Sequence, residues 1–347
     1  FYRGRTARLL LAEMKRHGGL ITARDLRDYR PAIREPLKGG YRGVELLTAP
    51  PPSAGGMILL QALNVLEGWD IRAMGPGSAD IVHVAAEALR RAFADRARWM
   101  GDADFVKDLP LGRLISKDYA ADLRKGIRMD RASVSDPSRF EWPLESNETT
   151  HLSVLDRDGR AVSLTYTLED NYGVKRIVPG AGFLLNNEMG DFNAGPGLTD
   201  RNGRIGTPPN LAAPGKRMLS SMAPCIAVKG GKVFLVTGSP GGRTIPCTVL
   251  QTILGAVDFD LNAQAAVDAP RMHHQWLPDR IVVERGALAA EQKTALERKG
   301  HVVAERPLPG RHEGATQGSA QLILVIDGKA QGGADRKRSP DSAAVAE

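Results

Sequence analysis

Glu148-Thr149-Thr150-His151-Leu152-Ser153-Val154-Leu155 is the stretch on which the reading of this chain turns. A loose polar run, Glu145-Ser146-Asn147, leads into it and stops at a pair of threonines. An alternating segment follows at once, and an Asp156-Arg157-Asp158-Gly159 turn carries the chain into a second strand over residues 161–168. That pattern predicts a β-hairpin with a hydroxyl at its first position. A threonine hydroxyl is a weak nucleophile without a neighbouring base. Cleavage of the Glu148–Thr149 bond would supply one, because the new α-amine of Thr149 would lie beside its own hydroxyl. Such an amine has an ordinary pKa of roughly 7.7–8, suited to base chemistry near neutral pH. On these eight residues alone, two threonines opening an ordinary edge strand is the commoner situation.

Around this stretch, 347 residues can bury a large core. Hydrophobic and charged fractions of 42% and 25% are those of a globular chain. The net charge of +7 raises the question of nucleic acid. The arginines are interspersed with acidic residues and form no basic tract interleaved with aromatics, which argues against it. Cys225 and Cys247 sit in apolar surroundings without metal or redox spacing and read as buried free thiols. No apolar run approaches the ~20 residues of a membrane helix.

Helical spacing is expected over residues 4–18, 22–29, 57–66, 78–99, 244–257, 262–268 and 291–299, with Thr22 placed to cap the second. Strands are expected near 43–47, 224–228, 232–236, 272–275, 280–284 and 321–326. Residues 126–148 read as a flexible linker, and 190–218 as a long loop able to cover a site. The Gly238-Ser239-Pro240-Gly241-Gly242 turn between a strand and a helix is a natural place for unpaired backbone N–H groups. The aspartate turn after the first hairpin strand has Thr167 where a calcium loop needs glutamate, and Asp102 with Asp104 lack further ligands, so no metal is expected. His83 and the adjacent His273 and His274 read as structural.

Several longer segments recur in a fixed order: the Pro50-to-Gly56 run, the Thr149 hairpin, Asn186-Asn187-Glu188-Met189-Gly190-Asp191, Leu219-Ser220-Ser221-Met222, Gly238 to Arg243, and Gly332-Gly333-Ala334-Asp335. Together they resemble the γ-glutamyltranspeptidases, N-terminal-nucleophile hydrolases that cut their own precursor to expose a threonine. The resemblance implies an α+β fold, a four-layer αββα sandwich, as one domain over 1–347 that is N-terminally truncated. Residues 1–148 would be the C-terminal part of the large subunit and 149–347 the small subunit. Phe1 in place of a methionine, with helical spacing already under way, agrees with an expected start inside a domain.

By the same resemblance Thr149 is the nucleophile and Thr167 bonds its free amine. Gly241 and Gly242 stabilise the oxyanion, Glu188 and Asp191 hold the substrate's α-ammonium, and Ser220 and Ser221 bond its α-carboxylate. Glu169 stands where the family often has asparagine; it can receive the ammonium but cannot donate. The arginine that anchors the carboxylate in the family belongs to a portion absent from this sequence. The implied activity is γ-glutamyl acyl transfer and hydrolysis on glutathione-like amides, with amino acids or peptides as acceptors and no cofactor. A cephalosporin acylase or a catalytically silent fragment is the alternative. The expected compartment is periplasmic or extracellular.

Overall fold

The structure is a computed structural model, and it describes residues 1–136, 148–193, 195–196, 205–306 and 317–346, with the side chain of Glu148 outside that set. Its first half runs α1 (Arg5–His17), α2 (Ala23–Asp28), β1 (Leu37–Tyr41), β2 (Val44–Thr48), α3 (Gly55–Leu66), α4 (Ile71–Met74), α5 (Ala79–Trp99), α6 (Leu111–Leu114) and α7 (Lys117–Lys125). The hairpin β3 (Glu148–Leu155) and β4 (Ala161–Glu169) follows. The remainder is β5 (Cys225–Lys229), β6 (Lys232–Gly238), α8 (Ile245–Val257), α9 (Ala263–Asp268), β7 (Met272–His273) and β8 (Ile281–Val283). It closes with α10 (Ala290–Arg298), β9 (Val303–Glu305), β10 (Gln321–Ile326) and β11 (Lys329–Ala334).

Local chemistry sets the ends of several helices. Gly18 takes the left-handed conformation after α1 and Gly19 N–H returns to the Met14 carbonyl at 2.9 Å, closing the last turn. Thr22 and Asp25 form a capping box at α2. Ser78 accepts from Ile81 N–H at 3.2 Å to start α5.

A six-stranded antiparallel sheet in the order β1-β2-β5-β6-β10-β11 forms the centre. Helices α3, α8 and α9 pack on it, and every residue of α3 is buried. The β3–β4 hairpin lies against β5, β6 and β10. Leu235 of β6 belongs to the core beneath the helices, while Gly238, three residues on and so on the other face, is covered by the His151 ring. Helices and hairpin therefore flank the sheet on opposite sides, an α+β arrangement as expected. A small third sheet pairs β7, β8 and β9. One hydrophobic core joins Leu46, Leu59 and Leu89 to Leu235, Leu250 and Leu322, so both sides of the Glu148–Thr149 bond contribute to it.

The hairpin is polar inside and apolar outside. His151 is buried, with its ring nitrogens at 2.9 Å from Thr165 Oγ1 and 3.2 Å from Ser153 Oγ. Ser163 Oγ donates to the Thr237 carbonyl at 2.8 Å and accepts from Cys225 N–H at 3.1 Å. Leu152, Val154, Val162, Leu164 and Tyr166 face outward and are exposed.

The linker expectation for 126–148 is corrected in its first part. Ser133 N–H and Oγ bind Glu87 of α5, and Ser135 N–H donates to Asp279 at 2.7 Å while its hydroxyl accepts from Arg90 at 2.6 Å. Buried Glu87 and Arg90 and the half-buried Asp279 fasten the chain to α5 and the β7–β8 connection, which composition alone does not reveal. Residues 137–147 lie outside the described residues, as do 194 and 197–204 of the expected covering loop. Among the described residues no helix is long and apolar enough to cross a membrane.

Candidate active site

Thr149 sits at an irregularity in the hairpin. Glu148 pairs with Glu169 and Thr150 with Tyr166, so one residue on β3 opposes two on β4, Thr167 and Leu168. A bulge of this kind re-aims a side chain and is common beside reactive groups. Thr149 is half-buried and lines a cavity of about 420 Å³ with His151, Pro240, Ser319, Gln321 and the 341–345 segment. Thr167 follows on the neighbouring strand, where its hydroxyl accepts from Glu169 N–H at 2.8 Å.

The backbone leaving the hairpin is strained. Glu169, Tyr172 and Lys175 are non-glycine residues at φ of +75°, +65° and +57°, a conformation that costs of order 1–3 kcal/mol each. Asn187 holds the start of this turn. Its N–H donates to the Leu168 carbonyl at 3.0 Å, its side-chain carbonyl accepts from Asp170 N–H at 2.9 Å, and its amide donates to the carboxylates of both Glu169 and Asp170. Glu188 comes next, opening the 3₁₀ turn Glu188–Asp191. Its Oε1 is buried with no hydrogen-bond partner. Burial first, and the Glu169 carboxylate second, push its pKa up to about 7. The two carboxylates lie close enough to repel one another, and one Glu188 oxygen lacks a partner, a combination that a cation would relieve.

That turn is stitched to the serine pair by Asn210, which is buried. Its amide donates to the Asp191 carbonyl at 2.7 Å, and its side-chain carbonyl accepts from Leu219 N–H at 2.9 Å. Ser220 is held against the proline run: its N–H donates to the Pro52 carbonyl at 2.9 Å, and its own carbonyl accepts from Ala54 N–H at 2.8 Å. A Cβ at Gly55 would stand 2.4 Å from the Ser221 carbonyl, so only glycine lets α3 start this close. Arg96, fully buried, donates to Ser221 Oγ at 3.3 Å.

The turn after β6 is the remaining piece. Gly241 and Gly242 take φ of +127° and +53°. The Gly241 carbonyl accepts from Thr244 N–H at 3.0 Å and from the Thr244 hydroxyl at 2.8 Å, which ties the turn to the start of α8. Pro240 and Ser319, on and beside this turn, share the cavity with Thr149.

Thr167, Glu169, Glu188 and Asp191 are joined to one another and to the Ser220–Ser221 segment through Asn187 and Asn210. Thr149 meets the Gly241–Gly242 turn only through the cavity it shares with Pro240 and Ser319. The nine residues come from five separate segments. Asn187, Asn210 and His151 were absent from the sequence-based set. An asparagine in a loop carries no distinctive pattern, and only the partners brought by folding disclose its role.

With that geometry in place, comparison with known proteins identifies the relatives. The chain matches the γ-glutamyltranspeptidase family over residues 1–345, and it belongs to that family. It is 44% identical over 345 residues to the glutathione hydrolase proenzyme of Escherichia coli (strain K12), covering 98% of this chain and 58% of that protein. It is 40% identical over 311 residues to the acylase ACY 1 proenzyme of Pseudomonas sp. (strain V22), covering 88% of this chain and 52% of that one. The crystal structure of cephalosporin acylase from Bacillus halodurans superposes with a TM-score of 0.81 at 27% identity, over 99% of this chain and 58% of that one. An acivicin-inhibited γ-glutamyltranspeptidase chain matches with a TM-score of 0.50 at 42% identity, over 55% of this chain and all of its own length. The chain therefore spans a little over half the length of the curated relatives it matches.

Proposed function

We propose that this chain carries the catalytic centre of a γ-glutamyl acyltransferase and hydrolase with Thr149 as nucleophile. The observation that carries the reading is the cation-suited pair Glu169 and Glu188, set at the end of the hairpin that begins with Thr149. Asp191 completes the receptor for the α-ammonium, and Ser220 and Ser221 bind the α-carboxylate.

Activation precedes turnover. The Thr149 hydroxyl attacks the Glu148 carbonyl, the C–N bond breaks to free the α-amine as an ester forms, and water opens the ester to give the Glu148 carboxylate and restore the hydroxyl. The matching chain of the acivicin-inhibited relative supports cleavage, since its length corresponds to about the share of this sequence after Glu148. In turnover the amine, bonded by Thr167, takes the hydroxyl proton as Thr149 attacks the γ-amide. The N–H groups of Gly241 and Gly242 meet the oxyanion, where one such donor is typically worth ~10²–10³ in rate. The leaving amine departs with the proton, and water or an acceptor amine resolves the γ-glutamyl ester. No cofactor enters these steps. The two products of self-cleavage remain partners in one core, and the compartment is periplasmic or extracellular by analogy with bacterial relatives.

Acylase chemistry is the second reading, favoured by the likeness to the acylase relatives. A glutaryl group has no α-ammonium to meet Glu188 and Glu169, so their like charge favours a γ-glutamyl substrate over it. N-terminal sequencing of the complete protein after expression tests the proposal. We expect a smaller chain beginning at Thr149, hydrolysis of a γ-glutamyl anilide in preference to a glutaryl one, and neither cleavage nor turnover in Thr149→Ala. A smaller chain beginning elsewhere, or a Thr149→Ala protein that still turns over substrate, removes the nucleophile assignment.

A further inference from the structure

The 317–320 segment touches both the Gly238-to-Gly242 turn and a cluster of buried charges that the proposed mechanism does not use. Gly318 lies directly on the turn: a Cβ there would stand 2.4 Å from Ser239 Oγ and 2.7 Å from the Pro240 carbonyl. Its own Cα limits Gly241 in the same way, at 3.2 Å from the position of a Cβ on that residue. Ser239 Oγ links the two pieces, accepting from Ser319 N–H at 3.0 Å and donating to the Pro240 carbonyl at 2.7 Å. Ser239 is fully buried, so these bonds are shielded from water.

Behind the segment, Arg271 donates to the Gln317 carbonyl at 2.8 Å and pairs with Asp335 at 2.8 Å. Asp335 in turn accepts from Ala320 N–H at 3.1 Å. The segment is gripped at both ends by one ion pair, whose members are 2% and 0% exposed. Arg338 and Glu284 complete a neutral group of four charges. A buried ion pair adds little net stability compared with an apolar replacement, and fixing one arrangement is its better-attested use. Here the arrangement it fixes leads in two steps to the turn.

We infer that Arg271 and Asp335 are positioning residues which, through residues 317–320 and Ser239, set the Gly241–Gly242 turn for oxyanion stabilisation. The inference rests on the role proposed above for that turn. Neither residue reaches substrate. Their effect is on where the Gly241 and Gly242 N–H groups point, and a displacement of about 1 Å at such donors can cost on the order of 100-fold in rate.

The test uses the complete, self-cleaved protein with Asp335→Asn and Ser239→Ala. The first removes the charge that grips the segment, and the second removes only the hydroxyl that joins the segment to the turn. Steady-state kinetics on a γ-glutamyl anilide are compared with the affinity for a γ-boronic acid analogue, which forms a tetrahedral anion on the Thr149 oxygen, and for the product glutamate. We expect kcat to fall about 10- to 100-fold in each variant, with boronate affinity lost in parallel. KM and glutamate affinity should stay within about twofold, because the ammonium and carboxylate contacts lie elsewhere. Ser239→Ala decides the matter where Asp335→Asn does not fold. Unchanged kcat, or losses in KM and glutamate affinity with boronate binding intact, overturns the inference. A wild-type protein that neither turns over the anilide nor binds the boronate overturns the site reading itself, a different and recognisable result.

Discussion

Helix α3 and the β3–β4 hairpin flank one sheet from opposite sides and are held to it by different forces. All of α3 is buried, and its Met57, Leu59, Leu60 and Leu63 anchor it by removal of apolar surface from water. The hairpin turns His151, Ser163 and Thr165 toward the sheet and leaves Leu152 and Leu164 outside, at 46% and 47% exposure. Hydrophobic burial is non-directional, whereas a hydrogen bond fixes distance and angle. A layer that must present Thr149 in one orientation gains from directional contacts, and a helix that only has to fill space does not need them.

That comparison can be broken most forcefully with acid. Burial holds His83 below its ordinary value, His273 and His301 at about 3, and His274 and the hairpin's His151 at about 4. Each binds a proton on unfolding below about pH 6.5 that it does not bind when folded. Stability from these groups is therefore complete above that pH and falls as the pH drops below it, by up to roughly 1.4 kcal/mol per unit down to about pH 4 for each of His151, His273, His274 and His301. Thermal unfolding between pH 7 and 5 should show a steep loss of Tm, and His151→Gln should retain most of it, since four of the five groups lie outside the hairpin. A variant that lost the acid dependence would place the acid-labile contacts in the hairpin instead.

Leu63→Ala in α3 should cost about 2–5 kcal/mol, measured by denaturant unfolding, because the side chain is wholly buried and its removal leaves a cavity. Ser163→Ala should cost less, about 1–3 kcal/mol, by leaving the Thr237 carbonyl and the Cys225 N–H without the partner they share. An equal loss in the two would erase the distinction between packing and bonding. Leu164→Ser on the outer face of the hairpin should change stability by no more than about 0.5 kcal/mol in this 347-residue span. The same substitution in the complete protein sharpens the comparison: a cost above about 2 kcal/mol there would show that further chain covers this face.

The elements that were legible in advance are those with strong periodicity or clear caps. α1, α2, α5, α8 and α9, the hairpin, and β5, β6 and β10 all fall where the residues suggest. β1 and β11 did not stand out, and both are outer strands of the main sheet carrying glycine pairs, Gly39-Gly40 and Gly332-Gly333. Glycine is a poor strand former by composition. Its value here lies in close approach, since a Cβ at Gly39 would meet the Leu60 side chain at 2.6 Å and one at Gly333 the Ala263 carbonyl at 2.5 Å. That reason exists only once α3 and α9 have docked. Of the candidate site, the hydroxyls, carboxylates and glycines were visible as motifs; Asn187 stood inside one of them with no role assigned, and Asn210 stood in none.

What the residues determine by themselves is local and periodic: which segments are helices or strands, where caps and turns fall, and which family the ordered motifs resemble. Alternation in β3 and β4 likewise specifies which side chains share a face. It does not specify which face turns inward, because that depends on the layer it meets, and here the sheet offers the Thr237 carbonyl and the space over Gly238 in place of an apolar surface. The raised pKa of Glu188, the grip of Arg271 and Asp335 on residues 317–320, and the fastening of Ser133 and Ser135 to α5 are decided the same way. Each arises between groups far apart in the chain, in a medium of low polarity that only the folded structure creates.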